Sequence, residues 1–442
     1  MRLAAVFLLG LLLRVAIIVT NPIVWGGDTI IRLFDRHILL KSYQLPLLQV
    51  LISAVSTISM NPIVVQFLIA VIGAVAGVGF YLLAADFAGE KFAFPAALLF
   101  VTHPYILAVS TVPFQEILML AALFFAFHFF YNEHWIAAAL CLGAACLTRY
   151  EAWAACPVLA VVCWLRTRNI VRAAIFGWAS VAWILFRHGL STPGHFVLER
   201  SISLWRFQRY IYIGWITLKF TPIPTLLLAA TGVWLLWRSR AKLDWRWSVQ
   251  FAFLAVFLVS LLFSAHGVAP DPERYVTSRE AHIPMYVILL LAAAGYSFWP
   301  RIGPIAAALS VALGIFGAFR YVQFETSKPD IQTDYRVARY LDEHVSEHER
   351  VLIEAPPLPP GQARLYLEKA RATGGAEGYR AAEKELAEIA ITPPDYQRVV
   401  AYSRIPRERL LPRSDDCADW TVKWNAPGSP EPVTFSHQPC PK

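Results

Sequence analysis

Four places in this sequence set carboxylates and cations beside apolar runs. Asp28 lies in Trp25-Gly-Gly-Asp-Thr29, just after the first apolar run. Glu116 lies in Pro113-Phe-Gln-Glu116, at the start of another. Arg149-Tyr150-Glu151 separates two short apolar stretches. Asp271-Pro-Glu-Arg274-Tyr275 runs through Ser278-Arg279-Glu280 to His282-Ile-Pro284, where a further apolar run begins. Ionisable groups at such positions are costly unless they are partnered or functional. A carboxylate there suits proton transfer, and a guanidinium suits a phosphate oxyanion. Each also has a plain structural reading. Asp28 is placed to cap a helix over Thr29–Leu40, Glu116 favours the positive end of a helix dipole, and Arg149 with Glu151 forms an internal ion pair.

The elements that position these groups follow from composition. Of 442 residues 57% are hydrophobic and 16% are charged, against about a quarter charged in a soluble domain. The first 321 residues hold 23 Lys+Arg and 12 Asp+Glu, and the remaining 121 hold 16 and 19. An apolar, basic body is thus followed by a hydrophilic, slightly acidic tail. This balance excludes a cytosolic enzyme, a disordered chain and a fibrous repeat. The fold class expected is a polytopic α-helical membrane protein with a small C-terminal soluble α/β domain, divided as 1–321 and 322–442.

A span takes about 20 mostly apolar residues. Eleven candidates are 3–20, 64–86, 92–112, 114–131, 134–148, 151–165, 173–190, 216–237, 248–265, 282–298 and 302–320. The short pair 134–148 and 151–165 reads as a tight hairpin with Arg149 in its turn. The stretch 45–59, bracketed by Pro46 and Pro62, reads as a helix at the interface. Arg14 within the first run, and no small-residue cleavage site after it, point to a retained span. The compact basic loops around Arg166–Arg172 and Arg238–Arg246 place the N-terminus in the cytoplasm. An odd span count then puts the tail outside. The outer side also carries Arg32, Arg36, Lys41, Arg149, Arg187, Arg200, Arg206, Arg209, Lys219, Arg274 and Arg279, either because long outer loops escape the charge bias or because these cations hold an anionic lipid headgroup.

Cys141, Cys146, Cys156 and Cys163 read as small buried apolar residues. Cys417 and Cys440 are the tail's own pair, and a bridge between them fits an oxidising compartment. Within the tail, 334–345 has helical periodicity, and 361–389 reads as helix with a Gly374-Gly375 break. Residues 350–354, 397–402, 420–424 and 432–436 read as strands. The histidines make no HExxH-like pair, so no metal site is expected.

Together these motifs resemble the GT-C superfamily of integral-membrane glycosyltransferases, the group of protein O-mannosyltransferases and of the aminoarabinose and galacturonate transferases. The resemblance is carried by Asp28 after the first span, by Gln44-Leu-Pro-Leu-Leu48, and by Glu116 opening the fourth span. It continues in Leu142-Gly-Ala-Ala-Cys-Leu-Thr-Arg-Tyr-Glu151 and in Ser278-Arg279-Glu-Ala-His-Ile-Pro284 before an Ala-rich span ending at Gly295. It implies an inverting transfer of a sugar from a polyprenyl-phosphate donor to a glycan, lipid or protein acceptor outside the cytoplasm. Asp28 would be the general base. Arg149, Arg279, Arg274 and Lys41 would hold the donor phosphate, with Glu116, Glu151 and Tyr150 in support. No metal or organic cofactor is implied, nor any nucleic-acid partner. A bacterial inner membrane is the expected location. The rival classes are a transporter or lipid flippase, and a non-catalytic subunit of an envelope glycan complex.

Overall fold

The computed structural model describes residues 1–38, 45–189, 205–238, 244–263, 280–355, 392–412, 417–425 and 431–440, with isolated positions between 364 and 387. The chain is mostly helical and ends in a small sheet. Three helices are long and apolar enough to cross a membrane: α1 (Arg2–Thr20), α4 (Pro62–Ala88) and the helix Ile302–Thr326. The chain is accordingly an integral membrane protein. A bent pair, Tyr210–Phe220 with Ile223–Arg238, makes a fourth span if counted as one. Among the described residues, then, three or four of the eleven expected spans have the length and composition to cross.

Proline breaks two of the expected spans. The expected span 92–112 is two helices, α5 (Glu90–Val101) and α6 (Pro104–Val109), because His103 precedes Pro104 and is held extended. The expected span 216–237 turns by 117° near Pro222 and Pro224. The expected helix 173–190 is α10 (Ile170–Ala174), a 3-10 turn and α11 (Trp178–Gly189). Residues 45–59 are indeed a short helix, α3 (Pro46–Ile58), with proline in its first turn.

Between these lie α2 (Gly27–Phe34), α7 (Gln115–Tyr131), α8 (Trp135–Cys146) and α9 (Ala155–Thr167). Further on come α12 (Trp205–Phe220), α13 (Ile223–Arg238), α14 (Trp245–Phe263), α15 (His282–Phe298) and α16 (Ile302–Thr326). Helix α4 packs against α1, α5 and α7, and α7 packs against α8. Arg14 is buried at the junction of α1, α4 and α6. Its Nε donates to Ser110 Oγ at 2.7 Å and its Nη1 to the Gly10 carbonyl at 2.7 Å. Helices α13 and α15 cross through paired glycines. A Cβ on Gly295 would lie 1.8 Å from the Leu228 carbonyl oxygen, and one on Gly232 2.0 Å from that of Leu291. Small residues let helix backbones approach closely in a membrane.

The tail contains α17 (Pro329–His344), β1 (Val351–Glu354), α18 (Pro394–Tyr402), β2 (Leu410–Leu411), β3 (Trp420–Trp424) and β4 (Val433–His437). The sheet order is β2-β1-β3-β4, with β1 parallel to both neighbours and β3–β4 antiparallel. The expected strand 397–402 is instead part of α18. Tyr396, Val399 and Val400 are among its buried residues, at helical spacing, and Pro394 opens it. Most of the helix expected at 361–389 lies outside the described residues. Cys417 and Cys440 are joined by a disulfide with Cα atoms 5.9 Å apart.

The tail packs directly on the first loop. Tyr402 donates to the Val24 carbonyl at 2.7 Å, Arg36 Nη2 donates to the Ser403 carbonyl at 3.0 Å, and Arg407 lies 3.9 Å over the Phe34 ring. Helix α2, which carries Asp28, and the tail therefore share one end of the helical body.

Candidate active site

Arg149 is the centre of the site. Helix α8 ends at Cys146, and Arg149 follows in extended backbone before a 3-10 turn over Tyr150–Ala154. The turn is held from several sides. Thr148 Oγ1 donates to the Ala144 carbonyl at 2.8 Å, and Trp153 Nε1 donates to the Cys146 carbonyl at 3.0 Å. The Leu47 N–H, at the start of α3, donates to the Leu147 carbonyl at 3.0 Å. Arg149 itself is buried. Its Nη1 donates to Glu116 Oε1 at 2.6 Å, its Nε donates to Glu151 Oε2 at 2.8 Å, and its Nη2 donates to Glu151 Oε1. Two carboxylates from separate helical elements thus clasp one guanidinium. A guanidinium has five N–H donors, so these bonds leave two for a ligand.

Glu116 stands in the first turn of α7, where the helix dipole favours an anion. Its neighbour Gln115 accepts from Arg32 Nη2 at 2.5 Å, which ties α2 to the start of α7. Gly26 is needed for this approach. Its φ is +90°, and a Cβ there would lie 2.7 Å from Phe114 Cζ. Trp25 packs edge-on against Phe114, with ring centroids 5.5 Å apart.

Asp28 is in the first turn of α2, with Gly26 at the N-cap. The capping role expected from the sequence is therefore not the one Asp28 takes, because α2 begins at Gly27 rather than at Thr29. Asp28 is close enough to Arg149 for its charge to act on the guanidinium. Asp35 is buried and pairs with Arg407 at 3.4 Å.

The site thus brings together Asp28, Glu116, Arg149 and Glu151. Tyr150 shares the turn, and its ring meets Trp153 edge-on with centroids 5.2 Å apart. Lys41, Arg274 and Arg279 lie outside the described residues, as do the side chains of Arg200, Arg206 and Arg209. Among the described residues no group of three or more His, Cys, Asp or Glu is arranged to hold a metal ion.

One residue of the site, named in the sequence motif, was given no role there. His282, the first residue of α15, is 1% exposed and lies within the electrostatic reach of Arg149 and Glu151. Its sequence signal was its place between Glu280 and Pro284 at the start of an apolar helix. An apolar groove of about 700 Å³, lined by Leu228, Trp234 and Phe298 among others, involves the opposite end of α15.

No protein-family model and no curated protein matches this sequence. Among solved structures, the crystal structure of the Archaeoglobus fulgidus oligosaccharyltransferase tethered with an acceptor peptide aligns with a TM-score of 0.47 and 12% identity. It covers 80% of this chain and 61% of that one. The same enzyme in complex with Zn and sulfate aligns with a TM-score of 0.48 and 13% identity, over 94% of this chain and 67% of that one. The chain thus spans about two thirds of the length of these structures. Likenesses this distant carry no functional weight.

Proposed function

We propose that this chain is an inverting membrane glycosyltransferase of the GT-C kind. It would move a sugar from a polyprenyl-phosphate donor to an acceptor hydroxyl outside the cytoplasm. The observation that carries the reading is the buried Arg149, clasped by Glu116 and Glu151 at a turn of the membrane body, with Asp28 near enough to act on its charge.

The chemistry follows from these groups. The acceptor oxygen attacks the anomeric carbon and its proton passes to the Asp28 carboxylate. The bond from the anomeric carbon to the phosphate oxygen breaks, and polyprenyl phosphate leaves. One displacement inverts the anomeric configuration. The two remaining N–H donors of Arg149 stabilise charge on the leaving phosphate. Arg279, Arg274 and Lys41 are assigned to the same phosphate. Glu116 and Glu151 hold the guanidinium in place, and Tyr150 supports the turn.

This reading divides the chain into a catalytic membrane domain, 1–321, and an extracytoplasmic domain, 322–442. The reaction is proposed to need no metal, and the membrane is proposed to be a bacterial inner membrane. The packing of the tail on the Asp28 loop supports placing both on one side.

The test is release of polyprenyl phosphate by the full chain in lipid nanodiscs. The donors are polyprenyl phosphates carrying a single hexose, pentose or uronic acid. Asp28→Asn is expected to abolish release while donor binding persists. Movement of intact donor across a vesicle bilayer without cleavage would favour a flippase and defeat the proposal.

A further inference from the structure

Among the described residues, three buried polar atoms at this site have no hydrogen-bond partner: Glu116 Oε2, His282 Nδ1 and His282 Nε2. Glu116 is 3% exposed and His282 is 1% exposed. Polar atoms this deeply buried are costly to leave unmatched.

The type of ligand follows from counting donors and acceptors. An ionised carboxylate oxygen only accepts, and a neutral imidazole donates from one nitrogen and accepts at the other. Glu116 and His282 together therefore ask a ligand for two donors and one acceptor. An ionised phosphate offers acceptors alone. Sugar hydroxyls offer both, since each O–H donates and also accepts. We propose that His282 and the free oxygen of Glu116 form a subsite for the hydroxyls of the transferred sugar, separate from the groups that hold the phosphate. This rests on the glycosyltransferase reading and deepens it. Arg149 separates the two tasks. It takes one oxygen of Glu116 and leaves the other for the ligand.

The experiment compares two probes on the detergent-purified full chain by native mass spectrometry. One is undecaprenyl phosphate, and the other is undecaprenyl phosphate carrying a single sugar, taken from a panel of hexose, pentose and uronic acid. The wild type is expected to bind one glycosylated lipid more tightly than the bare carrier. His282→Leu, which fills the space without polar atoms, is expected to lower that preference about 10-fold and to leave binding of the bare carrier unchanged. His282→Gln, with one donor group and one acceptor group, is expected to restore part of the preference. If His282→Leu does not fold, His282→Gln is compared with His282→Met in the same way. Equal weakening of both lipids, or no change in their ratio, overturns the subsite and leaves the enzyme reading standing. Failure of the wild type to bind either lipid overturns both.

Discussion

Arg149 Nη1 meets Glu116 Oε1 at 2.6 Å, joining a hairpin turn to the start of α7 across 33 positions of sequence. Both side chains are almost wholly buried, so neither can lose its partner cheaply. Arg149→Ala is expected to destabilise the chain by about 3–5 kcal/mol, because it strands two buried carboxylates. Glu116→Gln keeps an oxygen for the guanidinium and is expected to cost less. Thermal unfolding in detergent ranks the two variants, and an equal loss would contradict the clasp.

The tail is coupled to the first loop through Arg36. Its Nη1 donates to the Met60 carbonyl at 2.7 Å and its Nη2 to the Ser403 carbonyl at 3.0 Å. Arg36→Ala is expected to cost about 1–3 kcal/mol and to speed amide exchange in α18. Hydrogen exchange over Pro394–Tyr402, with the membrane helices as an internal control, measures this. Unchanged exchange there would mean that the contact does not hold the tail.

The glycine crossing of α13 and α15 has no room for a methyl group. Gly295→Ala is expected to push the two helices apart and to lower stability by roughly 1–3 kcal/mol, the usual cost of overpacking. Gly177→Ala serves as the control, since no atom of the described residues beyond its own chain neighbours lies within 4 Å of a Cβ placed there. Matching melting temperatures for the two variants would argue against the crossing.

The tail should lose stability in acid through Glu349. The Ser346 backbone N–H first, then the Trp420 indole and His437, hold its carboxyl below the ordinary 4.5, at about 2. A depressed carboxylate contributes stability in full above about pH 4.5 and loses it as the pH falls toward 2. Asp419 is lowered too, by the Arg350 and Cys440 N–H groups, and adds an effect of the same sign. Glu349→Gln is expected to flatten the stability of the tail across this window. Tryptophan fluorescence does not isolate the tail in so aromatic a chain, so exchange in β3 is the readout. A pH dependence identical to the wild type would rule Glu349 out as its source.

Several elements were legible because their signals are local. The apolar runs that become α1, α4 and α16, the short helix α3, the hairpin around Arg149 and the strand β3 all follow from periodicity and proline placement within a few turns of chain. The candidate carboxylates were legible because charge beside an apolar run is rare. Other features were misread for the same reason. Residues 397–402 are rich in Val and Tyr and read as a strand, yet Tyr396, Val399 and Val400 bury one helical face. Expected spans were interrupted where proline broke a continuous apolar stretch, as at Pro104.

The sequence by itself determined a membrane-embedded helical body, a polar tail, and the residue types able to move a proton and hold a phosphate. Those properties depend on composition and on spacing within single elements. Only the tertiary structure decided that Glu116 and Glu151 share one arginine, that His282 joins them with unmatched nitrogens, and that the tail rests on the Asp28 loop. The physical reason is that these contacts link positions up to 378 residues apart. Their geometry depends on how helices cross and pack, which no local pattern encodes.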